Sequence, residues 1–141
     1  MKRLIEYLMI LVALFSVSVM PGFAVEFPGE SEIMPCYDYT KSVYADLSIS
    51  ESGTATATSK ITGYPGITTK VSIYMYLEHE VNGEWEPVET WFDSTTSYSL
   101  TLEDTTEVES GHTYRIRASF YAYSGTSNEH ITTYSKEISF N

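Results

Sequence analysis

From Val43 onward, apolar and polar residues trade places at every second position, the pattern of strands with one face in a core and one in water. The longest such stretch runs from Val108 to Ala122. Tyr114, Ile116, Ala118, Phe120 and Ala122 share one side of it, while Arg115, Arg117, Ser119 and Tyr121 share the other. Ser110-Gly111 turns the chain just before. A tyrosine at the start of such a strand can bury its ring and return its hydroxyl to the backbone of the preceding loop, as in the tyrosine corner of β-sandwiches. Tyr114 is therefore expected to lock that bend.

Six further segments repeat the pattern. Val43 to Ser50 alternates Val43, Ala45, Leu47 and Ile49 with polar residues, and Glu51-Ser52-Gly53 turns it. Thr54 to Thr62 places Ala55, Ala57 and Ile61 on one side and threonines on the other. Gly63-Tyr64-Pro65-Gly66 is a strong turn signal. Thr69 to Glu80 directs Val71, Ile73, Met75 and Leu77 inward and Tyr74 and Tyr76 outward. Asn82-Gly83 fits a two-residue hairpin turn that needs positive φ at both positions. Glu84 to Phe92 follows, and Pro87, which has no backbone donor, marks it as an edge strand. Ser97 to Glu103 is the fifth segment, and His130 to Phe140, irregular at Ser135-Lys136, is the last. With no helical periodicity in this region, the pattern predicts an all-β, seven-stranded antiparallel immunoglobulin-like Greek-key β-sandwich over residues 43–141. A small closed barrel is the alternative fold.

The N-terminal end reads differently. Lys2 and Arg3 precede an apolar run from Tyr7 to Met20, and Gly22-Phe23-Ala24 places small residues at the minus-three and minus-one positions of a cleavage site. Residues 1–24 are expected to be a secretory signal peptide, which implies an extracellular protein with no membrane association after cleavage. Residues 25–42, with two prolines, one glycine and four carboxylates, read as a flexible lead-in.

The full chain carries 8 basic and 19 acidic residues, for a formal charge of −11. Removing Lys2, Arg3 and Glu6 with the leader leaves six basic and eighteen acidic residues, a net of −12. Such a charge repels nucleic acid and anionic lipid, so neither is an expected partner. Cys36 is the lone cysteine, so an internal disulfide is impossible; an unreactive thiol in the lead-in is the expectation, and a disulfide-linked dimer is the alternative. His79, His112 and His130 stand far apart and do not share metal-ligand spacing; no cofactor or metal is expected. A nucleophile elbow, a phosphate-cradling glycine loop and an alternating-aspartate calcium loop are all absent from the sequence. The expectation is a non-enzyme, with a hydrolase built on a carboxylate pair as the remote alternative.

Val108, Tyr114, Ile116 and Ala118 together resemble the corner and sixth strand of fibronectin type III and related bacterial immunoglobulin-like domains. The second strand departs from fibronectin type III domains, having Ala55 and Ala57 where a tryptophan is usual. The cysteine pair of antibody domains is missing too. Gly53-Thr54-Ala55, Gly83-Glu84-Trp85 and Tyr114 to Arg117 are similar to marks of small uncharacterised secreted proteins of Gram-positive bacteria. That resemblance implies an extracellular sandwich and carries no functional residues.

In immunoglobulin-like topology the third and sixth strands are neighbours. Their outward residues Tyr74, Tyr76, Arg115, Arg117 and Tyr121, with Tyr123 at the margin, would then form one surface of rings and guanidinium groups. Such surfaces are enriched at interfaces, and rings also stack on sugars. The competing reading is ordinary cross-strand stabilisation. Trp85 and Trp91 are expected to pack at the sandwich edge, extending the surface if exposed. Glu78, Glu80, Glu84, Glu86 and Glu89 crowd the neighbouring hairpin, where charge guards an edge against strand addition. The leading expectation is a non-catalytic secreted module that binds a protein or a glycan at the bacterial exterior, with Tyr74, Tyr76, Arg115, Arg117 and Tyr121 as its contact face. A structural or self-associating extracellular component is the alternative.

Overall fold

The structure, a computed structural model, describes residues 36–141. The expected signal peptide and most of the lead-in lie outside the described residues. Eight strands follow one another: β1 (Thr40–Ile49), β2 (Thr54–Gly63), β3 (Lys70–Val81), β4 (Glu84–Thr95), β5 (Ser99–Glu107), β6 (His112–Ser124), β7 (Ser127–Tyr134) and β8 (Ile138–Phe140). No helix occurs among the described residues. One sheet has the order β1-β2-β5 and the other the order β4-β3-β6-β7, with β8 also pairing β6. Every pairing is antiparallel. The chain changes sheet after β2, β4 and β5, the crossovers of a Greek-key sandwich, and the sheets do not close into a barrel.

The core lies between the two inner faces, where the period-two pattern places it. Leu47, Ala57, Ile61, Val71, Ile73, Met75, Leu77, Ile116, Ala118 and Phe120 are fully buried there. Small side chains on β2 and β6 share this cluster with Phe120 and Tyr114, which lets the layers fill without overpacking. Asn82 and Gly83 adopt φ of 55° and 83°, the paired positive values that the β3–β4 hairpin turn requires.

Several boundaries differ from the sequence pattern: β4 and β5 run on to Thr95 and Glu107, past the expected Phe92 and Glu103, β6 begins at His112 rather than Val108, and β7 begins at Ser127 rather than His130. β1 begins at Thr40, three residues before the apolar alternation starts at Val43, because the Glu129 carboxylate on β7 reaches back to it. That carboxylate accepts from the backbone N–H of Asp38 and Tyr39 and from the Thr40 hydroxyl. The last segment is two strands. Ser135 breaks it, and its hydroxyl replaces a strand carbonyl by accepting from the Ile116 N–H at 2.8 Å, while its own N–H donates to Ile116 O at 2.9 Å. The ladder to β6 thus stays satisfied through the break.

Tyr114 closes the corner at the start of β6. Its ring is 2% exposed, and its hydroxyl donates to the Glu109 carbonyl at 2.6 Å. One core position runs the other way. Ser59 is fully buried, and its hydroxyl has no partner among the described residues. An orphaned buried hydroxyl carries a desolvation cost of about 1–3 kcal/mol. Ser59→Ala is expected to stabilise the protein by about 1 kcal/mol, read as a higher urea midpoint at unchanged slope.

Candidate functional site

The outward face of the β4-β3-β6-β7 sheet is where the predicted residues meet. Register sets Tyr76 opposite Arg117, Tyr74 opposite Ser119 and Glu78 opposite Arg115, while Tyr121 lies opposite Ser72. Cross-strand neighbours share a face, so Tyr74, Tyr76, Arg115, Arg117 and Tyr121 all project to the same side. The structure therefore brings the five residues onto one surface.

Their roles on it divide. The two guanidinium groups converge on Glu78. Arg115 Nε lies 3.0 Å from one carboxylate oxygen and Arg117 Nε 2.6 Å from the other. Glu78 is 4% exposed, so this is a buried carboxylate held by two arginines. Rings cover the arginines in turn. Arg115 lies 4.0 Å from the Trp85 ring and 4.5 Å from Tyr134, and Arg117 lies 4.0 Å from Tyr76. Planar guanidinium groups suit this packing because they are weakly hydrated and stack on aromatic faces. Glu78 thus does not belong with the edge-guarding carboxylates of the hairpin. It is the anchor of the face.

Trp85 reaches this face through an irregularity. Leu77 pairs with Glu89 but Glu78 pairs with Pro87, which leaves Val88 as an extra residue on β4. One inserted residue reverses the direction of every side chain beyond it. Trp91 therefore stays on the inner side opposite Met75, packed on the core, and Trp85 emerges outward opposite Glu80. In an unbroken strand the two tryptophans, six positions apart, would share a face. The carboxylates Glu84, Glu86, Glu89 and Asp93 pair with Val81, His79, Leu77 and Ile73, which leaves the ring surface to Glu78 and Glu80.

Beyond the arginines the rings continue. Tyr74 packs on Phe92 at 4.5 Å and stands edge-on to Tyr121 at 6.0 Å, with 78° between their planes. Tyr121 stacks on His130 of β7 at 4.5 Å and 17°. Lys70 caps Tyr123 at 5.3 Å. Between these rings lies an open depression of about 470 Å³ lined by Tyr74, Tyr76, Ser119, Tyr121, Tyr123 and His130. It exists because Ser119 is the one short side chain that β6 places between Arg117 and Tyr121. Sequence reasoning missed Glu78, His130, Phe92 and Tyr134 as members of this face; it gave Trp85 as an extension of the surface if exposed and set Ser119 on the outward side without a role there. Glu78 shares the parity of Tyr74 and Tyr76, which is the signal that could have found it.

Among the described residues, no cluster of three or more histidine, cysteine, aspartate or glutamate side chains is placed to hold a metal ion. Cys36 is exposed and unpaired. No protein-family model matches this sequence, and no curated protein matches it.

Proposed function

We propose that this protein is a secreted, immunoglobulin-like, non-catalytic binding module of the bacterial exterior, and that its protein or glycan ligand lies across the outward face of the β4-β3-β6-β7 sheet. The observation that carries this reading is the content of that face. Tyr74, Phe92 and Tyr134 remain 38%, 54% and 51% exposed there, next to rings already fixed by stacking. Rigid rings present large contact area and lose little side-chain freedom on binding. The buried Glu78 fixes Arg115 and Arg117 on the same face, so the arginine part of the surface is organised before any ligand arrives. The immunoglobulin-like reading is supported by the β1-β2-β5 and β4-β3-β6-β7 layers together with the Tyr114 corner. Secretion rests on the leader-like residues 1–24.

The test separates contact from packing. Tyr74→Ala with Tyr121→Ala is expected to abolish retention on immobilised bacterial cell-envelope extract. Cross-strand pairs of this kind contribute about 0.2–1 kcal/mol each, so the thermal midpoint should fall by only a few degrees. Thr58→Ala, on the other sheet, should leave retention intact. Retention that survives the double replacement would reduce the ring face to sheet stabilisation.

A further inference from the structure

The depression around Ser119 has a chemistry of its own. Four of its six lining side chains are tyrosines, the others are Ser119 and His130, and none is a carboxylate, an ammonium or a guanidinium group. The nearest cations stand at its margins. Arg117 is spent on Glu78 at 2.6 Å and lies over Tyr76, and Lys70 lies over Tyr123. Among the described residues, the hydroxyls of Tyr74, Tyr76, Tyr121 and Tyr123 make no hydrogen bond to another side chain or backbone group, unlike that of Tyr114. The site therefore offers ring faces and rims at nearly right angles, together with uncommitted neutral hydroxyls, over a serine floor.

We propose that this depression is a carbohydrate subsite that takes a neutral glycan. The inference rests on the reading of this sheet face as the contact surface and names the ligand class. A pyranose ring has an apolar C–H face edged by hydroxyls that both donate and accept. The apolar face matches the tyrosine rings, and the sugar hydroxyls match the phenol, serine and imidazole groups, each of which both donates and accepts or can do one of the two. A volume of about 470 Å³ falls in the range of small-ligand sites. An anionic glycan would find no free cation inside the depression, and the chain's net charge of −11 opposes its approach.

Affinity gel electrophoresis tests this with neutral polysaccharides (xyloglucan, laminarin, mannan, dextran, arabinoxylan) and two anionic ones (polygalacturonate, hyaluronate). At least one neutral polymer is expected to retard the full protein by a factor of two or more in mobility. Ser119→Phe, which fills the depression, should restore free mobility, and Thr58→Ala, on the other sheet, should not. Because Ser119 is half-exposed on the outer side, Ser119→Phe should keep the parental thermal midpoint. Retardation by the anionic polymers alone, by none of the polymers, or undiminished in Ser119→Phe would overturn the proposal. Retention on envelope extract that depends on Tyr74 and Tyr121, yet is lost when the extract is protease-treated and is matched by no neutral polymer, would overturn the carbohydrate subsite while leaving the contact face standing. Retention indifferent to Tyr74 and Tyr121 would remove both.

Discussion

Replacing Glu78 with alanine is expected to destabilise the protein by about 3–5 kcal/mol, the usual cost of removing one partner from a buried charge cluster. Two guanidinium groups meet on this one carboxylate, at 3.0 and 2.6 Å. Without it they would face each other on adjacent positions of one strand face, with Trp85, Tyr134 and Tyr76 limiting their escape to water. A loss of this size lowers the thermal midpoint by roughly 12 °C or more in a domain of about 100 residues. Glu78→Gln keeps the shape and one acceptor, and should fall between the parent and alanine. Glu80→Ala, an exposed carboxylate two positions along the same face, should stay within about 0.5 kcal/mol of the parent. Urea denaturation of the three variants measures the contrast. A Glu78→Ala loss no larger than that of Glu80→Ala would show that the arginines do not need their anchor.

The second large effect belongs to Tyr114. Tyr114→Ala should cost about 3–5 kcal/mol, because it empties a fully packed aromatic position. Tyr114→Phe keeps the ring and loses the bond to the Glu109 carbonyl, at about 1 kcal/mol. Its pH dependence is distinctive. Burial holds the Tyr114 phenol above its ordinary value of 10.0, and the nearby Glu109 carboxylate acts in the same direction. A phenol whose pKa is raised by folding keeps its proton longer in the folded chain than in the unfolded one. Its contribution is therefore complete below pH 10, and it is lost as pH rises through the folded value. The stability gap between the parent and Tyr114→Phe should be flat from pH 7 to about 9 and then narrow or reverse above about pH 10. A gap that stays constant to pH 11.5 would contradict a corner tyrosine held by its proton.

Much of this was legible in the alternation of residues. Val71, Ile73, Met75 and Leu77 on β3, and Ile116, Ala118 and Phe120 on β6, are inward because a pleated strand leaves them no other choice. Knowing that β3 and β6 are neighbours was then enough to assemble Tyr74, Tyr76, Arg115, Arg117 and Tyr121. What escaped depended on register rather than on period. Glu78 stands in a run with Glu80, Glu84, Glu86 and Glu89, and only the pairing with β6 separates the buried one from its exposed neighbours. Which of Trp85 and Trp91 turns outward depends on one unpaired residue, Val88, which no composition rule announces. His130 and Tyr134 were obscured because the last segment was drawn as one strand across Ser135. The arginines carried a usable hint. Arg115 and Arg117 are the only arginines after Arg3, and their shared parity on an outward face calls for a nearby carboxylate.

The arginine cluster also changes how the face should be probed. Arg117→Ala would remove a partner of Glu78, so loss of binding in that variant would be mixed with loss of structure. Tyr74, Tyr121 and Ser119 sit outside that ion cluster, which makes them the cleaner probes of contact.

Hydroxyl-radical footprinting of the protein, mixed with bacterial cell-envelope extract and read residue by residue by mass spectrometry, tests the contact face most directly. Oxidation of Tyr74, Phe92 and Tyr121 should fall several-fold on mixing, while Tyr44 on β1 and Tyr98 ahead of β5, 51% and 41% exposed, keep their rates. Unchanged oxidation of Tyr74 and Tyr121, or protection centred on Tyr44, would contradict the account.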